Sequence, residues 1–474
     1  MKRASRKSFN VALAELAALS GLATIDSSRI KFAAQHLNLD SPFRAAEAAS
    51  AALVGGGLVA DRIAQARGHR PSQIFASSRH AEASLSSFAH LHFADRDKAP
   101  QARQAPEQRT AAAGFFQTAD DRWVYLHSGF PQQAADMLRL LDTPNESAAV
   151  TAAVRHYTGA ELEDRVAEAG LCGAMVRTAR EWDSSPAGLL LASRPVVEVI
   201  QIGESPPEPF PEDFARPLTG TNVLDLTRVL AGPTCARTLA AYGATVLRVS
   251  AEHLPSIPLF VADTGFGKRA AYLDLHERTG AYRLRELIRD ADVFSQGYRT
   301  GAMDRLGFGP LGVARVRAGI VYVSINCYGH EGPWRTRPGW EQLAQTVTGM
   351  AKIQGDAYNA GQPKLLPAAV TDYTTGYLAA YGTLLALQRR AEYGGSYWVR
   401  VSLSRTGVWI RNLGLRPVTE TKPLSEVELA AMKTDASTSW GPVSHLKPVV
   451  TLSETNVAWH QPPVPLGTHE ASFG

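Results

Sequence analysis

Residues 368–390 read AAVTDYTTGYLAAYGTLLALQRR, and place one acid, Asp372, at the head of a long run with almost no charge. Two chemistries fit an aspartate there. It can cap the helix that follows, because Asp, Ser, Thr and Asn side chains accept an orphan backbone N–H of the first turn. It can instead be the reactive carboxylate of an enzyme, kept ionised by the positive end of the helix. Spacing alone favours the cap. The apolar run leading up to Thr371 reads as a strand.

Other constellations that carry chemistry are incomplete. TGFGKRA (264–270) resembles a truncated phosphate loop, but the GxxxxGK[ST] spacing is not met. No GxGxxG opens a helix after a strand, no GxSxG elbow supplies a serine nucleophile, and no HExxH supplies a metal site. The thirteen histidines form no metal-ligand spacing. The expectation is therefore chemistry without metal or nicotinamide.

The elements that must hold Asp372 are those of an ordinary globular chain. Its 474 residues are 45% hydrophobic and 20% charged, with a net charge of +4, enough for two or three domains. That charge suits an anionic small molecule, and no basic patch interleaved with aromatics points to nucleic acid. Cys172, Cys235 and Cys327 form no CxxC and no even disulfide set, so a reducing, cytoplasmic setting is expected. No apolar stretch reaches the roughly 18–20 residues that span a bilayer. The basic start, MKRASRKSFNVALAEL, reads as a solvated leader running into a first helix.

Residues 1–100 are rich in Ala and Leu and read as helical, followed by a polar linker at 94–109. A small α+β unit is expected over 110–203. It comprises a hairpin with Asp120-Asp121 in its turn and 123–127 as the returning strand, helices at 131–141 and 159–169, and strands CGAMVR and VVEVIQI. The proline- and acid-rich run 203–217 marks a boundary. Beyond it, over 217–412, short apolar strands at 223–226, 245–249, 271–275, 292–294 and 319–325 alternate with helices, notably 233–242 and 277–289. That alternation implies an α/β fold with a mainly parallel sheet, whose ligands sit beyond the carboxyl ends of its strands. Segment 51–79 can be laid without gaps on 377–405, an echo consistent with a degenerate repeat, and Asp372 then falls on Ala46.

GTNVLDLTRVLAGPTCARTLAAYGATVLRV (220–249) resembles the opening of the family III CoA-transferases, a group that includes formyl-CoA and carnitine CoA-transferases and shares its fold with acyl-CoA racemases. Six further blocks follow in the family's order: GKRAAYLDL, ADVFSQGYRTGAMDRLGFGP, GIVYVSINCYGHEGPW, PGWEQLAQTVTGM, TDYTTGYLAAYGTLLAL and GGSYWVRVSLS, ending at Ser404. The resemblance implies a Rossmann-like CoA-binding domain with a smaller domain, in an intertwined homodimer. It implies that Asp372 is the nucleophile of a transfer from an acyl-CoA to a small carboxylic acid, with CoA as substrate and no permanently bound cofactor. Glu341 would assist. Val229, Leu230, Lys268, Leu273, His276, Gly297, Tyr298, Arg299 and Arg305 would contact CoA. Trp340 stands where racemases of this fold carry a histidine base, which disfavours a two-base racemase. A racemase or isomerase with Asp372 as a lone base, or a non-catalytic CoA-ester binder, remain the alternatives. The small-domain motifs precede the CoA-binding half instead of following it, the tail 413–474 is expected to return to the small domain, and no glycine-rich lid is evident.

Overall fold

The computed structural model describes residues 2–19, 26–35, 38–95, 97–100, 110–212, 215–418, 421 and 423–474. Most of the 94–109 linker lies outside the described residues. A seven-stranded sheet dominates. Its spatial order is Lys268–Tyr272, Thr245–Ser250, Asn222–Asp225, Val293–Gln296, Val321–Asn326, Ser396–Ser402 and Glu198–Gly203. All neighbours pair in parallel except the last, which is antiparallel. The central strands are buried on both faces, as strands covered by helices on either side must be. Chain order reverses between Asn222–Asp225 and Val293–Gln296, so the loops that follow these two strands diverge and open a crevice.

Strand Glu198–Gly203 corrects the sequence reading, which assigned it to the small unit. Its half-buried pattern suits an edge, and it pairs with Ser396–Ser402. The small unit keeps an antiparallel sheet of Gly114–Gln117, Trp123–His127 and Cys172–Met175, with Asp121 at φ 56° in the hairpin turn. The strand expected at 271–275 lies earlier, at Lys268–Tyr272, which leaves Leu273 to His276 in the loop beyond its end.

The first hundred residues are not purely helical. Strands Ile30–Ala33 and Ile74–Ser77 pair with each other, and Thr451–Leu452 of the tail joins them. Tail strands Lys433–Thr438 and Gly441–Leu446 form a sheet with His92–Phe93, so the tail returns to the N-terminal region and not to the small unit. Helix Ala45–Ala66, strand Ile74–Ser77 and helix Ser78–Ser84 match helix Val370–Tyr393, strand Ser396–Ser402 and helix Leu403–Asn412 in kind and order. The two long helices pack against each other, with Gly55 beside the Tyr381 ring. One continuous apolar core includes Phe9, Val54, Val246, Leu384 and Val450. Among the described residues no helix is long and apolar enough to cross a membrane.

Candidate active site

Helix Val370–Tyr393 starts two residues before Asp372, and no strand precedes it. Asp372 is therefore in the first turn and is not the cap. The cap position is Ala369, which has no side chain able to accept a hydrogen bond. Glu341, first residue of helix Glu341–Val347, supplies the missing acceptor from outside: its Oε1 accepts the Thr371 N–H at 2.9 Å. Gln345 Nε2 donates to the same oxygen at 3.1 Å, while Gln345 Oε1 accepts the Leu366 N–H at 2.9 Å. This side chain thus ties the chain entering the long helix to the Glu341 carboxyl. Gly376 lets that helix lie against the start of helix Ala231–Ala241. A Cβ there would sit 2.5 Å from the Ala231 carbonyl oxygen.

Both carboxyl groups are buried, Asp372 at 8% exposure and Glu341 at 6%, yet both line one cleft of about 370 Å³. Burial pushes Asp372 up to about 7. This corrects the expectation that the helix terminus would keep it ionised across the usual range: desolvation of the charged form outweighs the favourable dipole. Glu341 is likewise raised well above the usual carboxyl range, by burial first and then by the Asp372 charge.

The cleft lies between the carboxyl ends of the large sheet and the small unit, which contributes Phe130, Gln132, Gln133 and Cys172. Val229 and Leu230 line it from the loop after Asn222–Asp225, and Gly297, Tyr298 and Arg299 from the loop after Val293–Gln296. Val229 holds φ 66°, a strained conformation for a β-branched residue and of the kind found at ligand sites. A second cleft of about 310 Å³ holds Leu273, His276 and Arg305, and shares Leu226 and Tyr298 with the first. The structure thus gathers eight of the nine expected CoA contacts along two adjoining clefts. Lys268 is the exception. It is 1% exposed, and its Nζ donates to Asp225 Oδ2 and to the Pro233 carbonyl, both at 2.8 Å. Its ammonium is an internal tie that fixes the Asp225–Pro233 turn under the cleft, and burial lowers its pKa to about 8.

Four arginines at or beside the cleft, Arg228, Arg248, Arg335 and Arg337, were not singled out from the sequence. Arg228, Arg335 and Arg337 line the cleft beside Arg299. Arg337 also reaches Asp164 at 2.8 Å and so links the Trp340–Glu341 loop to the small unit. Trp340 packs against His127 and Phe130 of that unit. Arg248, on strand Thr245–Ser250, is 4% exposed, and its Nε and one terminal nitrogen have no hydrogen-bond partner. It lines a narrow slot with Arg228, Val229 and Ser250, residues that also border the two clefts. Its signal in the sequence was an arginine on a strand that should be apolar on both faces.

The sequence profile of CoA-transferase family III matches residues 218–469, more than half of the chain. The chain belongs to CoA-transferase family III. Among curated relatives, an acetyl-coenzyme A transferase (nodX) of Hypoxylon pulicicidum is 34% identical over 344 residues, 68% of this chain and 58% of that protein. An acyl-CoA transferase of Gibberella moniliformis is 34% identical over 317 residues, 62% of this chain and 55% of its own length. A formyl-CoA:oxalate CoA-transferase of Streptomyces coelicolor is 32% identical over 213 residues, 43% of this chain and 51% of that one. The chain spans about half the length of these family III relatives.

Proposed function

We propose that the chain transfers CoA from an acyl-CoA thioester to a small carboxylic acid, with Asp372 as nucleophile. The observation that carries this reading is the pair of buried carboxyl groups, Asp372 and Glu341, on one cleft at the carboxyl ends of a parallel sheet. The strand order around the reversal supports reading the sheet as doubly wound and Rossmann-like, a class that binds nucleotide-bearing ligands at this crevice. The two adjoining clefts offer a continuous path. The thioester would lie by Asp372 and the pantetheine by Val229, Leu230 and Tyr298. The phosphates would lie by Arg305 and His276, with the Arg248 guanidinium, two of whose nitrogens lack a hydrogen-bond partner, between.

An Asp372 oxygen attacks the thioester carbonyl carbon, the C–S bond breaks, and an acyl–aspartyl anhydride and CoA thiolate form. The thiolate attacks the aspartyl carbonyl of that anhydride, which gives an aspartyl-CoA thioester and releases the donor acid as its carboxylate. An acceptor carboxylate then attacks the aspartyl thioester and expels the thiolate again. Attack of that thiolate on the acceptor carbonyl of the second anhydride yields the new acyl-CoA and regenerates Asp372. Anhydride and thioester are both activated acyl groups, so no step needs ATP. Glu341 Oε1 holds the Thr371 N–H and so positions the first turn that carries Asp372. The same reading carries the expectation of a cytoplasmic homodimer.

Hydroxylamine added during turnover with acetyl-CoA or another simple acyl-CoA should convert the aspartyl thioester to a hydroxamate. Mass spectrometry should find it on the peptide that holds Asp372, and D372A should lack it. α-Proton exchange in deuterated water with no hydroxamate would replace this reading by a racemase, and CoA binding with neither signal would leave a non-catalytic binder.

A further inference from the structure

Three side chains at the far end of the second cleft are arranged as a metal site. Strands Thr245–Ser250 and Lys268–Tyr272 are parallel neighbours, so the loops beyond their carboxyl ends lie side by side. His253 comes from the first loop, and Asp274 and His276 from the second. His253 Nδ1 lies 3.3 Å from Asp274 Oδ2, and His276 Nδ1 lies 3.5 Å from Asp274 Oδ1. One ligand atom from each residue falls within 4.8 Å of the other two. The carboxylate is fixed by its own backbone, because Asp274 Oδ1 accepts the His276 N–H at 2.9 Å.

Neither imidazole closes on the carboxylate to the roughly 2.7–2.9 Å of a charge-assisted hydrogen bond, and the two rings address different oxygens of it. The rings stand 5.5 Å apart between centroids and 23° from parallel, which leaves both Nδ1 atoms beside the two oxygens of one carboxylate. We propose that His253, Asp274 and His276 bind one borderline divalent cation of the Zn²⁺ class through two imidazoles and a carboxylate. Three protein ligands leave a fourth position open. All three residues line the cleft that also holds Arg305. The neighbouring loops, not local sequence spacing, assemble the triad, which is why the histidine pattern does not display it. The site does not depend on the transferase reading.

Untagged protein stripped with EDTA should be titrated with Zn²⁺ by calorimetry and with Co²⁺ by visible absorption. One equivalent should bind, with the intense absorption of tetrahedral Co²⁺. D274N and H253Q should each weaken binding by at least about tenfold, while circular dichroism stays that of the parent, because both histidines are exposed and Asp274 is only half-buried. Absence of binding to the parent, or unchanged affinity in both variants, overturns the proposal.

Discussion

Asp372 shows how a single carboxyl group can be poised by burial. Its ordinary value is 3.8 and the folded chain raises it to about 7. Between those limits the native state holds a proton that the unfolded chain has released, so its contribution to stability is full below the unfolded value and is lost as pH rises through the folded one. D372N removes that dependence. We expect thermal stability of the parent to fall relative to D372N between pH 4 and pH 7, by an amount on the order of a few kcal/mol, read from melting curves across that range. Transfer should follow the opposite course. In the proposed mechanism the attacking form is the carboxylate, so kcat/KM should decline as pH drops below about 7. An acid heading an almost uncharged helix drew notice to Asp372, but spacing alone favoured a cap, and its expected role as nucleophile came from the resemblance. Its partner was legible only through resemblance, because Glu341 reaches the Thr371 N–H across a gap of 30 residues.

At the scale of elements, the site depends on how closely two helices approach. Gly376 faces the Ala231 carbonyl oxygen and the Thr234 side chain, where a Cβ would stand at 2.5 and 2.7 Å. G376V should push helix Val370–Tyr393 away from helix Ala231–Ala241, cost about 1–3 kcal/mol of stability, and lower transfer by more than the loss of folded protein accounts for, since Asp372 lies one turn earlier. Denaturant melts together with activity per folded molecule check this. Element type was readable where local pattern decides it. The strand Trp123–His127 is found as expected, and helices Ala231–Ala241 and Arg278–Arg289 lie within two residues of expectation. Sheet membership was not readable. The sequence of Glu198–Gly203 says strand, but its partner Ser396–Ser402 is set by the finished sheet. The tail strands met the N-terminal region for the same reason. Lys268 looked like a free cation because nothing local announces Asp225 beneath it.

The whole molecule is less divisible than its sequence blocks. The core that holds Leu384 and Val399 of the catalytic half also holds Ala45 to Ile63 of the N-terminal region and Val449 to Val457 of the tail. A fragment limited to residues 217–412 would expose the face that helix Ala45–Ala66 covers on helix Val370–Tyr393. We expect that fragment to aggregate, and the full chain to unfold with the N-terminal region and the catalytic half melting together. Calorimetry of the two species tests both statements, and a soluble fragment with a sharp transition of its own would refute them. The edge strand adds a matter of timing. Residues 198–203 leave the ribosome long before residues 396–402, the stretch they zip onto. Synthesis alone therefore imposes a delay on the last seam of the sheet. A contact of such large sequence separation is the sort that slows folding, and a nascent chain halted anywhere between the two carries an unfinished edge.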